Sequence, residues 1–179
     1  MSVKIFFSQK RKTLPTAGFT MIELLVVVVI IGITAAIAAP SWQSFLDRQR
    51  MNAIRGELIS VLRDAQEEAQ SRQQNRQVIF SSATDPISVT VRNASATTGG
   101  IAKSLGNSNT RDKFSLLAPT PIVFDNEGRV NVSTPYVMKI TKRNSPPLSS
   151  GQSPSQSCVV LTTLLGGIKP ANDQVCDSF

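Results

Sequence analysis

Three hydrophobicity patterns follow one another along the chain, and each predicts a different element. From Phe19 to Ala39 the run is apolar except for Thr20, Glu23, Gly32 and Thr34. As a helix rising about 1.5 Å per residue it is about 31 Å long, close to the hydrocarbon thickness of a bilayer. Beyond Pro40, Trp42, Phe45, Leu46, Ile54, Leu58, Val61, Leu62, Ala65 and Ala69 recur at intervals of three and four among charged residues, the pattern of an amphipathic helix. We expect one continuous helix to about Gln74, with residues 19–39 as a transmembrane half and 40–76 as an amphipathic half. Trp42 and Phe45 stand where aromatic anchors at the membrane surface, or residues packed on a head, belong.

After Asn75 the period shortens to two. Val78–Phe80, Ile87–Val91, Ile122–Phe124, Val130–Val132, Val137–Ile140 and Cys158–Leu161 read as short antiparallel strands of a β-rich head over 77–179. Asp125-Asn126-Glu127-Gly128 is a turn signature in which Gly128 supplies positive φ, so 121–125 and 129–133 should form a hairpin. Residues 93–113 and 144–157 lack periodicity and read as mobile surface loops.

The chain has 179 residues, enough for one modest head. Nineteen Lys and Arg against twelve Asp and Glu give +7. Lys4, Lys10, Arg11 and Lys12 fall in the first eighteen residues, which hold no acid, so the remainder carries 15 − 12 = +3. Histidine is absent, which removes Ser/His/Asp and Cys/His catalysis and histidine metal ligation. Two cysteines are too few for a four-cysteine zinc or iron–sulfur site, and no glycine-rich phosphate loop occurs. The expectation is a protein that is not an enzyme and needs no cofactor or metal.

Basic residues before the apolar run and almost none directly after it place the N-terminus in the cytoplasm and the head on the exported side. A secretory signal cut at Ala36-Ile37-Ala38 is the plainer alternative, but its apolar region is typically about 7–15 residues and carries no carboxylate. Glu23 lies five residues into the run, where a charge costs up to about 3.5 kcal/mol at mid-bilayer. Such an acid needs a partner.

Leu14-Pro15-Thr16-Ala17-Gly18 followed by Phe19-Thr20-Met21-Ile22-Glu23-Leu24-Leu25 resembles the leader junction of type IV pilins and type II secretion pseudopilins. The resemblance implies that residues 1–18 are a class III leader removed by a prepilin peptidase. It implies cleavage between Gly18 and Phe19 and N-methylation of Phe19. In a filament the new Phe19 ammonium would then pair with Glu23 of a neighbour, a pairing that fixes register because a misplaced subunit leaves both charges buried and unpaired. A helix-capping Glu23, stabilised by the macrodipole, is the plainer reading. Pro40 falls where the family commonly has a kink-inducing proline.

One long helix, a β-rich head and a C-terminal cysteine pair are similar to the GspH/FimT group of minor pilins and pseudopilins. This implies an α+β, ladle-shaped fold in which the N-terminal helix is half transmembrane and half packed on an antiparallel β-sheet head. It also implies a structural subunit at or near the tip of a type IV pilus or type II secretion pseudopilus that helps start assembly. Its partners would be other pilin or pseudopilin subunits, the prepilin peptidase, an inner-membrane assembly platform, and membrane lipid before assembly. Its place would be the bacterial inner membrane and then an extracellular or periplasmic filament. A major pilin is the structural alternative. A FimT-like DNA-binding pilin is another, with Lys169, Arg129, Lys142 and Arg143 as weak phosphate contacts, although the group's Gly-Arg-x-Arg element reads Gly166-Gly167-Ile168-Lys169 here. Cys158 and Cys176, both on the exported side, are predicted to form a disulfide, adding about 3 kcal/mol on the chain-entropy estimate.

Overall fold

Both helical patterns fall in one element, helix α1, Met21–Arg72, 52 residues long. The structure, a computed structural model, describes residues 18–81, 86–107, 110–143 and 156–178, with the side chains of 39–41 outside that description. The leader up to residue 17, the side chain of Pro40 and residues 144–155 of the second predicted loop therefore lie outside the described residues. The chain divides into two units, Met1–Trp42 and Gln43–Phe179.

In the second unit α1 is the centre of the core. Met51, Ile54, Leu58, Val61, Leu62, Ala65 and Ala69 are buried, one stripe at helical spacing, while Arg63, Asp64 and Glu67 face outward. Helix α1 ends where Gln73 takes a left-handed φ of 52°. The Gln73 and Gln74 amides donate to the carbonyls of Gln70 and Ala69 at 3.4 and 3.1 Å, a Schellman closure that satisfies the last orphan carbonyls.

Among the described residues eight strands follow: β1 (Arg76–Ser81), β2 (Ser88–Asn93), β3 (Ile101–Ser104), β4 (Phe114–Leu117), β5 (Ile122–Phe124), β6 (Tyr136–Lys142), β7 (Gln156–Leu161) and β8 (Ile168–Asn172). They form two four-stranded antiparallel sheets, ordered β3-β2-β1-β5 and β4-β6-β7-β8. Val78, Val89, Ile122 and Phe124 from the first sheet and Phe114, Leu116, Met138 and Ile140 from the second join the α1 stripe in one hydrophobic cluster. The fold class is α+β, as the change of period predicts.

Four expectations need correction. Residues 129–133 form no second hairpin strand; Val130 makes one isolated bridge to Phe124, and the ladder stops where the Val123 amide donates to the Asn131 side-chain Oδ1 at 2.8 Å. The predicted loop 93–113 contains β3, whose four residues are all exposed and so carry no burial alternation to read. Gln156 and Ser157, assigned to the second loop, are the buried first residues of β7. Strand β8 went unread because Pro170 argues against a strand, and it is tolerated there because β8 is an edge.

The Asp125–Gly128 turn forms as its signature predicts. Asp125 Oδ1 accepts from the amides of Glu127 and Arg129 at 2.9 and 2.8 Å, and Gly128 has φ of 81°. Two glutamines of α1 fasten this turn and the β7–β8 loop. Gln66 Nε2 donates to the Gly128 carbonyl at 2.9 Å and to that of Leu165 at 3.1 Å, and Gln70 Nε2 donates to the Glu127 carbonyl at 3.1 Å.

Gly128→Ala places a Cβ 2.2 Å from Gln70 Nε2 at a strained φ. We expect it to cost about 1–3 kcal/mol, and Leu58→Ala to cost about 2–5 kcal/mol through the cavity it leaves. Urea titration of the detergent-solubilised chain, followed by circular dichroism, reads both, and an unchanged midpoint for either would contradict the packing described.

Candidate functional site

Among the described residues, the N-terminal unit carries one charge, Glu23, on an apolar helix. Helix α1 starts because Thr20 caps it: the Thr20 hydroxyl accepts the Glu23 amide at 3.3 Å and the Thr20 carbonyl accepts the Leu24 amide at 3.2 Å. Thr20 and Glu23 have the T-x-x-E spacing of a capping box, and Glu23 lies in the first turn, where the helix dipole favours an anion. That spacing was legible in the sequence, and the capping role of Thr20 was missed there.

Phe19 is 78% exposed and precedes the helix. Gly18 is exposed beside it, and a Cβ added at Gly18 would meet nothing within 4 Å, so nothing in the fold of the described residues requires glycine there. Residues 21–38 are exposed throughout, including Ile22, Leu24, Leu25, Val28, Ile31 and Ile37. Helix α1 is long and apolar enough to cross a membrane. The Thr34 hydroxyl donates back to the carbonyls of Ile30 and Ile31, each at 3.0 Å. The Glu23 carboxylate makes no hydrogen bond or ion pair among the described residues, which leaves a full charge on a surface otherwise made of hydrocarbon.

In the head, Cys158 of β7 and Cys176 of the 3-10 turn Asp173–Asp177 form a disulfide with Cα atoms 5.9 Å apart. Both are fully buried and pack with Val160, Val137 and Ala171 in a small second cluster. The bond ties the C-terminal turn to the sheet.

Of the four predicted phosphate contacts, Lys142 and Arg143 are neighbours at the end of β6, whereas Lys169 lies apart from them. Lys169 lies opposite Val160, and Val160 opposite Val137, in the second sheet. Lys142 is five residues further along β6, about 17 Å at strand rise. Three of the four are also engaged by carboxylates: Arg129 by Asp125 at 2.9 Å and Glu127 at 3.0 Å, Lys142 by Asp47 at 2.7 Å, and Arg143 by Asp112 at 3.6 Å. Lys169 is exposed and makes no ion pair among the described residues.

The Asp47–Lys142 pair, unread in the sequence because 95 residues separate its members, fastens the helix to the end of β6. The hydrogen bond from Lys142 holds the Asp47 carboxyl below the ordinary carboxylate range. The Lys142 charge and the Arg50 guanidinium at 3.1 Å add to this, and partial burial opposes it.

A profile described as the prokaryotic N-terminal methylation motif matches residues 15–39. The type IV major alpha-pilin of Moraxella bovis is 46% identical over 43 residues, 24% of this chain and 27% of the relative, so the match spans about a quarter of that protein's length. The crystal structure of the type IV minor pilin FimU of Pseudomonas aeruginosa aligns with a TM-score of 0.51 over 74% of this chain and 98% of that one, at 12% identity. The minor pseudopilin EpsH from the Type 2 Secretion System of Vibrio cholerae aligns at 0.46 over 69% and 97%, with 15% identity. The motif is thus a feature of the first unit, and the fold likeness to FimU extends through the head.

Because the pKa of Asp47 is lower in the folded chain than in the unfolded one, its pairing stabilises the fold above the ordinary carboxylate pKa near 4 and is lost as pH falls through the lower, folded value. Asp47→Asn should therefore lose about 1 kcal/mol at neutral pH. The stability of the variant should also fall less than that of the parent on acidification below about pH 4. Parallel denaturation curves of parent and variant across that range would refute the pairing.

Proposed function

We propose that this chain is a member of the type IV pilin and pseudopilin superfamily, a reading its methylation motif and its fold support, and that it is a minor subunit. It would be assembled at or near the tip of a type IV pilus or type II secretion pseudopilus, where it helps initiate the filament. The observation that carries the mechanism is the Glu23 carboxylate, which has no partner among the described residues and sits on an exposed apolar helix, one turn from the Gly18–Phe19 bond.

The proposed sequence of events follows from charge and solvent. In the membrane, lipid covers residues 19–39, with the N-terminus cytoplasmic and the head exported. A prepilin peptidase cuts between Gly18 and Phe19. The lack of any folding reason for glycine at 18 supports its being read by that external enzyme. Cleavage leaves a cation on Phe19, and the Phe19 amine is methylated. When an assembly platform moves the subunit out of the bilayer, apolar helices of neighbouring subunits replace lipid around α1, and Glu23 of one subunit receives the Phe19 ammonium of another. In that low-dielectric bundle a charge left alone is costly, by about 3–5 kcal/mol when one member of a buried pair is removed, so out-of-register insertion is disfavoured. The same argument makes Glu23 and Phe19 assembly residues. Pro40, a helix position without an amide donor, is the place for local loosening on that transfer.

For the DNA-binding alternative, Arg129, Lys142 and Arg143 already meet carboxylates, while Lys169 makes no ion pair among the described residues.

Two measurements test the proposal. Intact-mass analysis of the chain recovered from filaments should show it beginning at Phe19 with one added methyl group; any other start removes the proposed cation. Glu23→Ala should be cleaved and inserted normally, yet fall at least about tenfold in filament fractions, since a loss of 1.4 kcal/mol already gives that factor. Normal incorporation would end the register argument.

A further inference from the structure

The first helix turns after the apolar run meet a cationic edge of the head. Gln43, Leu46, Asp47 and Arg50 of α1 line a shallow cavity with Lys113 and Lys142. Lys142 and Arg50 hold the two oxygens of Asp47 at 2.7 and 3.1 Å. The Arg143 amide donates to the Lys113 carbonyl at 2.7 Å, which brings the start of β4 and the end of β6 to the same place. Arg111 and Lys113 are exposed and form no ion pair among the described residues. Arg50, Arg111, Lys113, Lys142 and Arg143 against Asp47 and Asp112 leave 5 − 2 = +3 on this edge.

Chain connectivity sets how far this edge lies from the bilayer. Asp47 is eight residues past Ala39, about 12 Å along a helix. The headgroup layer is about 5–8 Å deep on each side of the hydrocarbon, and one Debye length adds about 8 Å. The edge is therefore within electrostatic reach of lipid phosphates. Phe45, exposed on the intervening turns, suits the layer between hydrocarbon and water.

We propose that this edge is a headgroup site for anionic phospholipid, which holds the head against the membrane surface while the subunit waits for assembly. Asp47 holds Lys142 and Arg50 as a fixed pair of donors that together keep one net positive charge, and Arg111 and Lys113 supply the rest of the uncompensated charge. Each such cation near an anionic leaflet is worth about fivefold in affinity. Transfer into a filament removes the lipid and frees the edge. The inference rests on residues 19–39 being a membrane span.

Full-length chain reconstituted in mixed phosphatidylcholine and phosphatidylglycerol vesicles, each lipid spin-labelled in turn, tests it. Electron paramagnetic resonance should show phosphatidylglycerol motionally restricted in preference to phosphatidylcholine, with the preference abolished by high salt. Arg111→Gln/Lys113→Gln/Arg143→Gln should lose the preference, about fivefold for each side chain at low salt. Arg63→Gln/Lys103→Gln/Lys169→Gln, an equal charge change at exposed positions elsewhere, should keep it. Equal restriction of both lipids by the parent chain, or loss in both triple variants alike, overturns the site. A second readout needs no variant. Acylation of Lys113 by a water-soluble reagent should be slower in phosphatidylglycerol vesicles than in phosphatidylcholine ones, and equal rates, or protection by added DNA alone, overturn the site too. Flotation separates the premises: a chain that does not float with vesicles overturns the span and the site together, and one that floats without lipid preference overturns the site alone.

Discussion

A helix that exposes hydrocarbon along eighteen successive residues, 21–38, cannot remain in water, and that constraint governs the rest of the molecule. Burying a Val, Leu or Ile side chain is worth about 1.5–3 kcal/mol, so this surface demands either lipid or other apolar helices. Lipid and a helix bundle satisfy hydrocarbon almost equally well, so moving between them costs little for the apolar side chains. Glu23 is the exception. Thr34 satisfies its hydroxyl on its own helix, but a carboxylate has no such recourse, and it discriminates between surroundings that hydrocarbon does not. In the proposed filament, this charge would carry the specificity while the apolar residues carry the affinity.

The head meets the same requirement by a different route. From Met51 to Ala69 the same helix turns one stripe inward and two sheets cover it, so that a single cluster includes α1 and strands of both sheets. The small Ala65 and Ala69 near its end allow close approach of the neighbouring backbone. Gln66 and Gln70, just off the stripe, reach the carbonyls of the Asp125–Gly128 turn and the β7–β8 loop, which lack ladder partners of their own. The disulfide does for the C-terminal turn what these glutamines do for the loops.

Much of this was legible residue by residue. The apolar run, the amphipathic stripe, the leader junction, the Asp125–Gly128 turn and the cysteine pair are all local signals, carried by spacing within a few residues or by residue type. What escaped was non-local. Residues 129–133 looked like a returning strand, and in the fold only Val130 pairs, with Phe124, while its amide reaches the Leu164 carbonyl of the β7–β8 loop. Strand β3 has no buried face and β8 contains a proline; both exist because a neighbouring strand offers them a ladder. The predicted phosphate contacts show the same limit, since sequence shows the number of cations but not which carboxylates they face.

By itself the sequence determined that there would be one long helix with an uncovered apolar half, a carboxylate near its start, and a β-rich head, because periodicity and charge act over one or two turns. Tertiary structure alone decided which strands share a sheet, that Asp47 meets Lys142, and that Lys113 and Arg143 arrive beside the first turns beyond the apolar run. Those pairings join residues tens of positions apart. Their choice depends on how two sheets close over one helical stripe, a competition among whole arrangements that no local pattern encodes.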